Sequence, residues 1–158
     1  MSDRIVTVAL DAMGGDEGLS ATVHGAARLS REDESIQILL VGDIDGMSES
    51  LEGVSYDPRR LALVASKGHI LMEEKPLEAL RAKPECSIIT AAKLVASGEA
   101  DALVSAGHTG ATILSCSKNF NRLPGIRRAA LASVYPTGQR RGPRGDPFAL
   151  LLDVGATL

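Results

Sequence analysis

Short apolar runs alternate with helix-periodic stretches along the first two thirds of the chain. The apolar runs predict four buried strands, at residues 4–10, 36–41, 61–65 and 101–105. Apolar positions spaced three and four residues apart predict the helices between them, at residues 18–30, about 44–52, 76–83, 86–97 and about 109–120. Strands that alternate with helices indicate an α/β fold, with a mostly parallel sheet and helices on both faces.

The last third of the chain has a different pattern. Leu123-Pro124-Gly125 interrupts it, and two further strands are predicted at residues 129–135 and 147–153. The connection between them, residues 136–146, is shorter than a parallel crossover normally requires. We therefore expect these two strands to form an antiparallel pair or an arch.

The length of the chain limits its domain organisation. Its 158 residues are the size of one domain, so we expect a single α/β domain over residues 1–158. The last predicted strand is not followed by the helix that a parallel sheet needs for cover. We therefore expect the N-terminal part of a longer chain, or a chain that completes its fold elsewhere, and we expect it to be catalytically silent by itself and prone to self-association.

Composition excludes several classes of function. The 17 basic and 20 acidic residues give a net charge of −3, which argues against nucleic-acid binding. With no Trp, two Tyr and two Phe, platforms for stacking bases are not expected. The two cysteines match neither a zinc site nor a disulfide framework, and the N-terminus lacks a long apolar segment. We expect a cytoplasmic protein without a metal site.

Three of the apolar runs end in glycine-rich turns, at residues 11–16, 105–111 and 153–157. In open α/β sheets, ligands bind beyond the carboxyl ends of the parallel strands. Glycine lets the backbone come close to a ligand, and N–H groups at turns and helix starts bind anions. The three turns predict one composite site for a phosphate or a developing oxyanion.

The first turn has two interpretations. In one of them Asp11 orients a neighbouring group while the N–H groups of Gly14 and Gly15 bind an anion. In the other the segment is a tight connection in which Asp16 caps the following helix. The spacing does not fit a dinucleotide-binding fingerprint.

The second turn supplies more polar groups. Ser105, His108 and Thr109 are donors, and Thr109 is a candidate N-cap of the helix that follows. A histidine near neutrality can act as a general acid or base. The alternative is that Thr109 merely caps the helix and His108 lies in water.

Two cations precede the predicted helix that Ser87 opens. Arg81 and Lys83 could hold a phosphate, Arg by bidentate bonds and Lys as a point charge. Cations near the end of a helix more often complement its dipole, and the residues alone favour that interpretation.

The chain resembles the PlsX family of phosphate acyltransferases. The segments that carry this resemblance occur in the order typical of the family, at Val8–Asp16, Glu74–Lys83 with Ser87, Ala102–Ala111, Leu123–Leu131 and Leu152–Ala156. Three positions depart from the usual pattern. His108 and Thr157 stand where the family usually has Asn, and Ala129 stands where it usually has Pro.

The resemblance implies that inorganic phosphate accepts a fatty acyl group from acyl carrier protein, giving acyl phosphate for phospholipid synthesis. It implies a fold similar to phosphotransacetylases and to isocitrate- and isopropylmalate-type dehydrogenases, and no cofactor. Members of such a family are cytosolic homodimers that can attach to a membrane surface. Two alternatives are a small-acyl phosphotransacylase that uses coenzyme A and a truncated, non-catalytic interaction module.

The resemblance and the turns together give a set of expected site residues. Phosphate is itself the nucleophile, so no catalytic Ser or Cys is required. We expect an anion-binding cradle of Gly14, Gly15, Gly107, Thr109 and Gly110, with Ser87 and Ser105 beside it. Charge compensation is expected from Arg81, Lys83 and Arg128. His108 is expected to be an oxyanion donor or proton shuttle, and Asp11 and Asp153 to orient the loops.

Overall fold

A computed structural model describes residues 4–127, 129–141 and 145–154 of the chain. The chain divides into two compact units, Met1–Phe120 and Asn121–Leu158. The first unit contains a four-stranded sheet and the second a two-stranded one. The expectation of one domain over the whole chain stays a prediction.

The sheet of the first unit is parallel, with strand order β3-β2-β1-β4. Its strands are β1 Val6–Asp11, β2 Ile36–Gly42, β3 Leu61–Ala65 and β4 Ala102–Ser105. The helices are α1 Gly18–Glu32, α2 Ile44–Leu51, α3 Pro76–Ala82, α4 Ser87–Ser97 and α5 Thr109–Asn119. Every strand and helix predicted here is confirmed, with small shifts at the ends. Among the described helices, none is both long and apolar enough to cross a membrane.

Helices cover both faces of this sheet, as predicted. Side chains alternate between the faces of a strand, so neighbours on β2 pack in opposite directions. Ile38 and Leu40 pack in the cluster that contains buried residues of α1 and α2. Leu39 and Val41 pack in the cluster that contains Ala91 of α4. The α/β fold class is therefore confirmed.

Local signals at the helix ends mostly hold. Pro76 occupies the first turn of α3, where its missing N–H is not needed. Gly98 ends α4 in the left-handed conformation, with φ 82°, and its N–H donates to the carbonyls of Leu94 and Val95. The proposed Asp16 cap of α1 was wrong, because the residue that precedes this helix is Glu17 and its side chain makes no capping hydrogen bond.

The second unit is an antiparallel hairpin of β5 Ala132–Arg141 and β6 Asp146–Leu152. The antiparallel pairing was predicted, but the predicted loop at 136–146 was wrong because β5 continues to Arg141. The register shifts between Pro136 and Arg141, and proline cannot donate to a ladder. Thr137 Oγ1 instead donates to the carbonyl of Pro147 at 2.8 Å and extends the pairing.

Candidate functional site

The end of β1 and the end of β4 lie side by side, which brings the first two glycine turns together. Asp11 and Ser105 are paired in the parallel register. Ser105 Oγ donates to Asp11 Oδ2 at 2.8 Å, and the N–H of Met13 donates to Asp11 Oδ1 at 3.1 Å. The N–H of Gly107 donates to Ser105 Oγ at 3.1 Å. Asp11, only 4% exposed, therefore joins the two turns through its carboxylate.

The backbones of the two turns touch each other at glycine. A Cβ on Gly14 would lie 2.6 Å from the backbone nitrogen of Gly107 and 2.8 Å from its Cα. A Cβ on Gly107 would lie 3.0 Å from the Cα of Gly14. The next residue, Gly15, has φ +113°, a conformation that side chains disfavour, and packs near Ala106. Glycine at these positions is required by close approach and by backbone geometry.

A small pocket, partly open to solvent, lies beside this contact. Its walls include both turns, the starts of α4 and α5, and His69 and Ile70 of the loop before α3. Ser87 is the first residue of α4, is 1% exposed and lines the pocket. The structure thus brings together Asp11, Gly14, Ser87, Ser105, Gly107 and His108 of the predicted site.

His108 is the N-cap of α5. Its Nδ1 accepts hydrogen bonds from the N–H groups of Gly110 at 3.1 Å and Ala111 at 3.4 Å. Its Nε2 lies 3.2 Å from the carbonyl oxygen of Glu74. The prediction that Thr109 caps this helix was wrong, because Thr109 is already the first helical residue and is exposed. The proposed role of His108 in catalysis stays a prediction.

Lys83 lies in a close ion pair. Its Nζ donates to both carboxylate oxygens of Glu74, at 2.8 and 2.7 Å, and to the carbonyl of His69 at 2.9 Å. The hydrogen bond from Lys83, helped by the N–H of Leu71, lowers the pKa of Glu74. The ammonium that the sequence assigned to phosphate is therefore directed at a carboxylate.

Three further predicted site residues are Arg81, Asp153 and Arg128. Arg81 is exposed in the last turn of α3. Asp153 belongs to the second unit and has φ 60°, and Arg128 lies outside the described residues. In the part of the chain that the structure describes, no group of His, Cys, Asp and Glu side chains could hold a metal ion.

The thiol nearest to the site is unsuited to nucleophilic attack. Cys86 directly precedes α4 and is fully buried. Burial raises the pKa of its thiol, and the negative charge of Asp11 acts in the same direction. Because the thiolate is the reactive form, this cysteine is inert near neutral pH.

Sequence reasoning missed Glu74 and His69 as parts of the site. Neither stands in a glycine turn. His69 lines the pocket from the loop before α3, and the carbonyl oxygen of Glu74 in the same loop lies 3.2 Å from Nε2 of His108. One signal was present: Glu74 and Lys83 flank the predicted helix at 76–83, so opposite charges lie at its two ends. That charge pattern does not predict that the two side chains form an ion pair.

Comparison with known proteins identifies relatives of this chain. A family model described as fatty acid synthesis protein matches residues 6–158. A phosphate acyltransferase of Oleidesulfovibrio alaskensis is 44% identical over all of this chain and 43% of its own length. One from a Nostoc species is 39% identical over all of this chain and 44% of its own length. The chain spans less than half the length of these curated relatives.

Solved structures of similar fold are phosphotransacetylases. The Streptococcus pyogenes phosphotransacetylase matches with a TM-score of 0.61 at 14% identity, covering 92% of this chain and 46% of that protein. The EutD phosphotransacetylase of Staphylococcus aureus matches with a TM-score of 0.60 at 15% identity, covering 97% of this chain and 47% of that protein. The predicted likeness to the phosphotransacetylase fold is confirmed.

The glycine contact predicts a strong effect of a single methyl group. Gly14→Ala should lower the free energy of unfolding by about 1–3 kcal/mol, because the new Cβ meets backbone atoms that cannot move aside cheaply. Gly25→Ala is the matched control, since Gly25 is exposed within α1 and its Cβ would meet nothing within 4 Å. Urea unfolding, followed by the amide signals of the sheet, should show the control at or above wild-type stability. Equal stability of both variants would refute the close contact.

The cap of α5 predicts a difference between two substitutions. His108→Ala should destabilise the first unit by about 0.5–2 kcal/mol, because the N–H groups of Gly110 and Ala111 lose their acceptor. His108→Asn should keep most of the stability, since asparagine is a preferred N-cap residue. Thermal unfolding of both variants checks this. An Asn variant as unstable as the Ala variant would contradict the capping role.

Proposed function

The chain belongs to the family described as fatty acid synthesis protein, and we propose that it transfers a fatty acyl group from acyl carrier protein to inorganic phosphate. The observation that carries this proposal is the match of the whole chain to relatives named phosphate acyltransferase, at 44% and 39% identity. The acyl phosphate produced would serve phospholipid synthesis. Carrier protein, product use and activity of the whole enzyme are parts of the proposal.

In the proposed reaction no protein side chain forms a covalent bond with the substrate. A phosphate oxygen attacks the carbonyl carbon of the thioester and forms an O–C bond. The tetrahedral oxyanion then collapses, the C–S bond breaks, and the electron pair leaves on sulfur. The sulfur takes up the proton that the hydrogen phosphate gives up and becomes the thiol of the carrier. Catalysis then rests on orienting phosphate and stabilising the oxyanion. A buried, protonated Cys86 agrees with a mechanism that needs no protein nucleophile.

We place the phosphate at the start of α4. Ser87 is buried there and lines the pocket, and the dipole of this 11-residue helix favours an anion at its N-terminus. The N–H of Ser87 donates to the carbonyl of Gly68 at 3.1 Å, so the hydroxyl of Ser87 is the proposed donor to the phosphate. The backbone of Gly14 and Gly107 forms the opposite wall. Arg81 and Arg128 stay proposed sources of positive charge, whereas Lys83 is held by Glu74.

Other features of the proposal come from the resemblance to the family. They are a homodimer, a cytoplasmic location and contact with a membrane surface. A phosphotransacylase that uses coenzyme A is the rival enzyme, because the structures of similar fold are phosphotransacetylases. At 14% and 15% identity these structures support the fold alone. Whether the acyl group comes from acyl carrier protein or from coenzyme A is therefore decided by experiment. A non-catalytic interaction module is the rival from another class.

Phosphate binding can be tested on this chain directly. Titration with inorganic phosphate should shift the amide signals of Ser87, Ile88 and Gly107, which line the pocket. Ser87→Ala should weaken the apparent affinity roughly ten- to a hundredfold, because one hydrogen bond to a charged group is lost. Ser97→Ala, at the exposed opposite end of α4, should leave it unchanged. Shifts confined to other surfaces would reject the phosphate site at α4.

Acyl transfer can be tested in a chimera. This chain replaces the segment it matches in the phosphate acyltransferase of Oleidesulfovibrio alaskensis, and acyl phosphate is trapped as the hydroxamate. We expect phosphate-dependent product from acyl carrier protein thioesters and much less from acyl-coenzyme A. Asp11→Asn should lower turnover on the order of a hundredfold, because an NH2 donor replaces one of the two carboxylate oxygens that accept from Ser105 and Met13.

Two results of that assay would overturn the proposal. A chimera that prefers acyl-coenzyme A would support the rival phosphotransacylase. A folded chimera that forms no acyl phosphate, beside an active parent enzyme, would support a non-catalytic module.

A further inference from the structure

The loop before α3 is fastened by one ion pair. Lys83 Nζ and the Glu74 carboxylate are about one-third exposed, at 33% and 29%, and the shortest distance between them is 2.7 Å. The same carboxylate accepts from the N–H of Leu71 at 2.7 Å, and the same ammonium donates to the carbonyl of His69. The pair thus joins both ends of α3 to the loop of residues 69–74.

Glu74 also contacts His108, through its backbone carbonyl oxygen. That oxygen lies 3.2 Å from Nε2 of His108. A carbonyl only accepts hydrogen bonds, so it selects the ring form that carries its proton on Nε2. In that form Nδ1 has a free lone pair, and the N–H groups of Gly110 and Ala111 donate to it. A proton on Nδ1 would instead point at the N–H groups of Gly110 and Ala111, which are donors themselves, so that ring form is disfavoured.

We propose that Glu74 and Lys83 are positioning residues that act through His108. In this proposal the ion pair fixes the position of the Glu74 carbonyl, and that carbonyl accepts from Nε2 of His108 and orients its ring. The oriented ring then caps α5 at the wall of the pocket. This inference deepens the proposed function because it concerns the same pocket. Its measurements do not depend on acyl transfer.

The proposal is tested by Lys83→Met and Glu74→Gln in the otherwise unchanged chain. Exchange of the His108 Nε2 proton with water and amide exchange at Gly110 and Ala111 are measured by NMR. We expect each variant to speed these exchanges on the order of tenfold, because the ring loses its fixed acceptor and the cap loosens. Glu74→Gln keeps the shape of the side chain, which guards against a loss of fold.

Two controls separate positioning from general stability. Lys75→Met removes an exposed ion pair with Glu78 on the same helix, with 81% and 71% exposure, and should leave the exchange at His108 unchanged. His24 is an internal control, because its Nε2 lies 3.1 Å from the carbonyl of Ser50, away from this pair. Its proton should exchange at the wild-type rate in every variant.

A double variant decides whether Lys83 acts through the ring. In His108→Ala the cap is already lost, so adding Lys83→Met should not accelerate exchange at Gly110 and Ala111 further. An additional acceleration of similar size would show that Lys83 affects α5 by another route and would overturn the proposal. Unchanged exchange in both single variants would overturn it too. Either result leaves the phosphate titration to judge the proposed function independently.

Discussion

The parallel register between β1 and β4 is the constraint on which the candidate site depends. It pairs Asp11 with Ser105, so that a hydroxyl and a carboxylate meet at the last residues of both strands. The turns that follow start at the same level and meet at Gly14 and Gly107. A shift of one residue would turn every side chain of a strand to the other face and separate these groups. The site is therefore built by the sheet rather than by its loops.

The sequence was most informative where local chemistry decides the structure. Continuous apolar runs marked the four parallel strands, and helical spacing marked the five helices between them. Pro76 marks the start of α3 because the first helical position needs no N–H donor and suits the fixed φ of proline. Gly98 marks the end of α4 because glycine adopts the left-handed conformation without steric strain. The first two glycine clusters marked turns correctly, and their close approach at Gly14 and Gly107 leaves no room for a side chain. Most of the third predicted turn, at residues 153–157, lies outside the described residues.

The sequence was less informative where tertiary contacts decide. Thr109 is as good a cap in isolation as any residue in its turn, yet the helix begins at Thr109, which puts the cap one position earlier. Glu74 precedes α3 and Lys83 directly follows it, so their ion pair depends on how the chain folds back around this helix. Beyond Pro136, β5 pairs again with β6 at Arg141 and Asp146, and Thr137 Oγ1 bonds the carbonyl of Pro147 between them, contacts that no local pattern contains.

Most polar groups that the sequence assigned to a ligand instead hold the walls of the pocket. The hydroxyl of Ser105 donates a hydrogen bond to Asp11, and the N–H of Gly110 donates to His108. The ammonium of Lys83 donates to Glu74. A site that stabilises developing charge works best when its groups are fixed before the reaction, because no reorganisation is then needed. These bonds provide such rigidity, but they also direct the donors away from the pocket. The N–H of Ser87 at the start of α4 likewise donates to the carbonyl of Gly68, at 3.1 Å. The hydroxyl of Ser87, which lines the described pocket, is therefore the group proposed to meet an anion there.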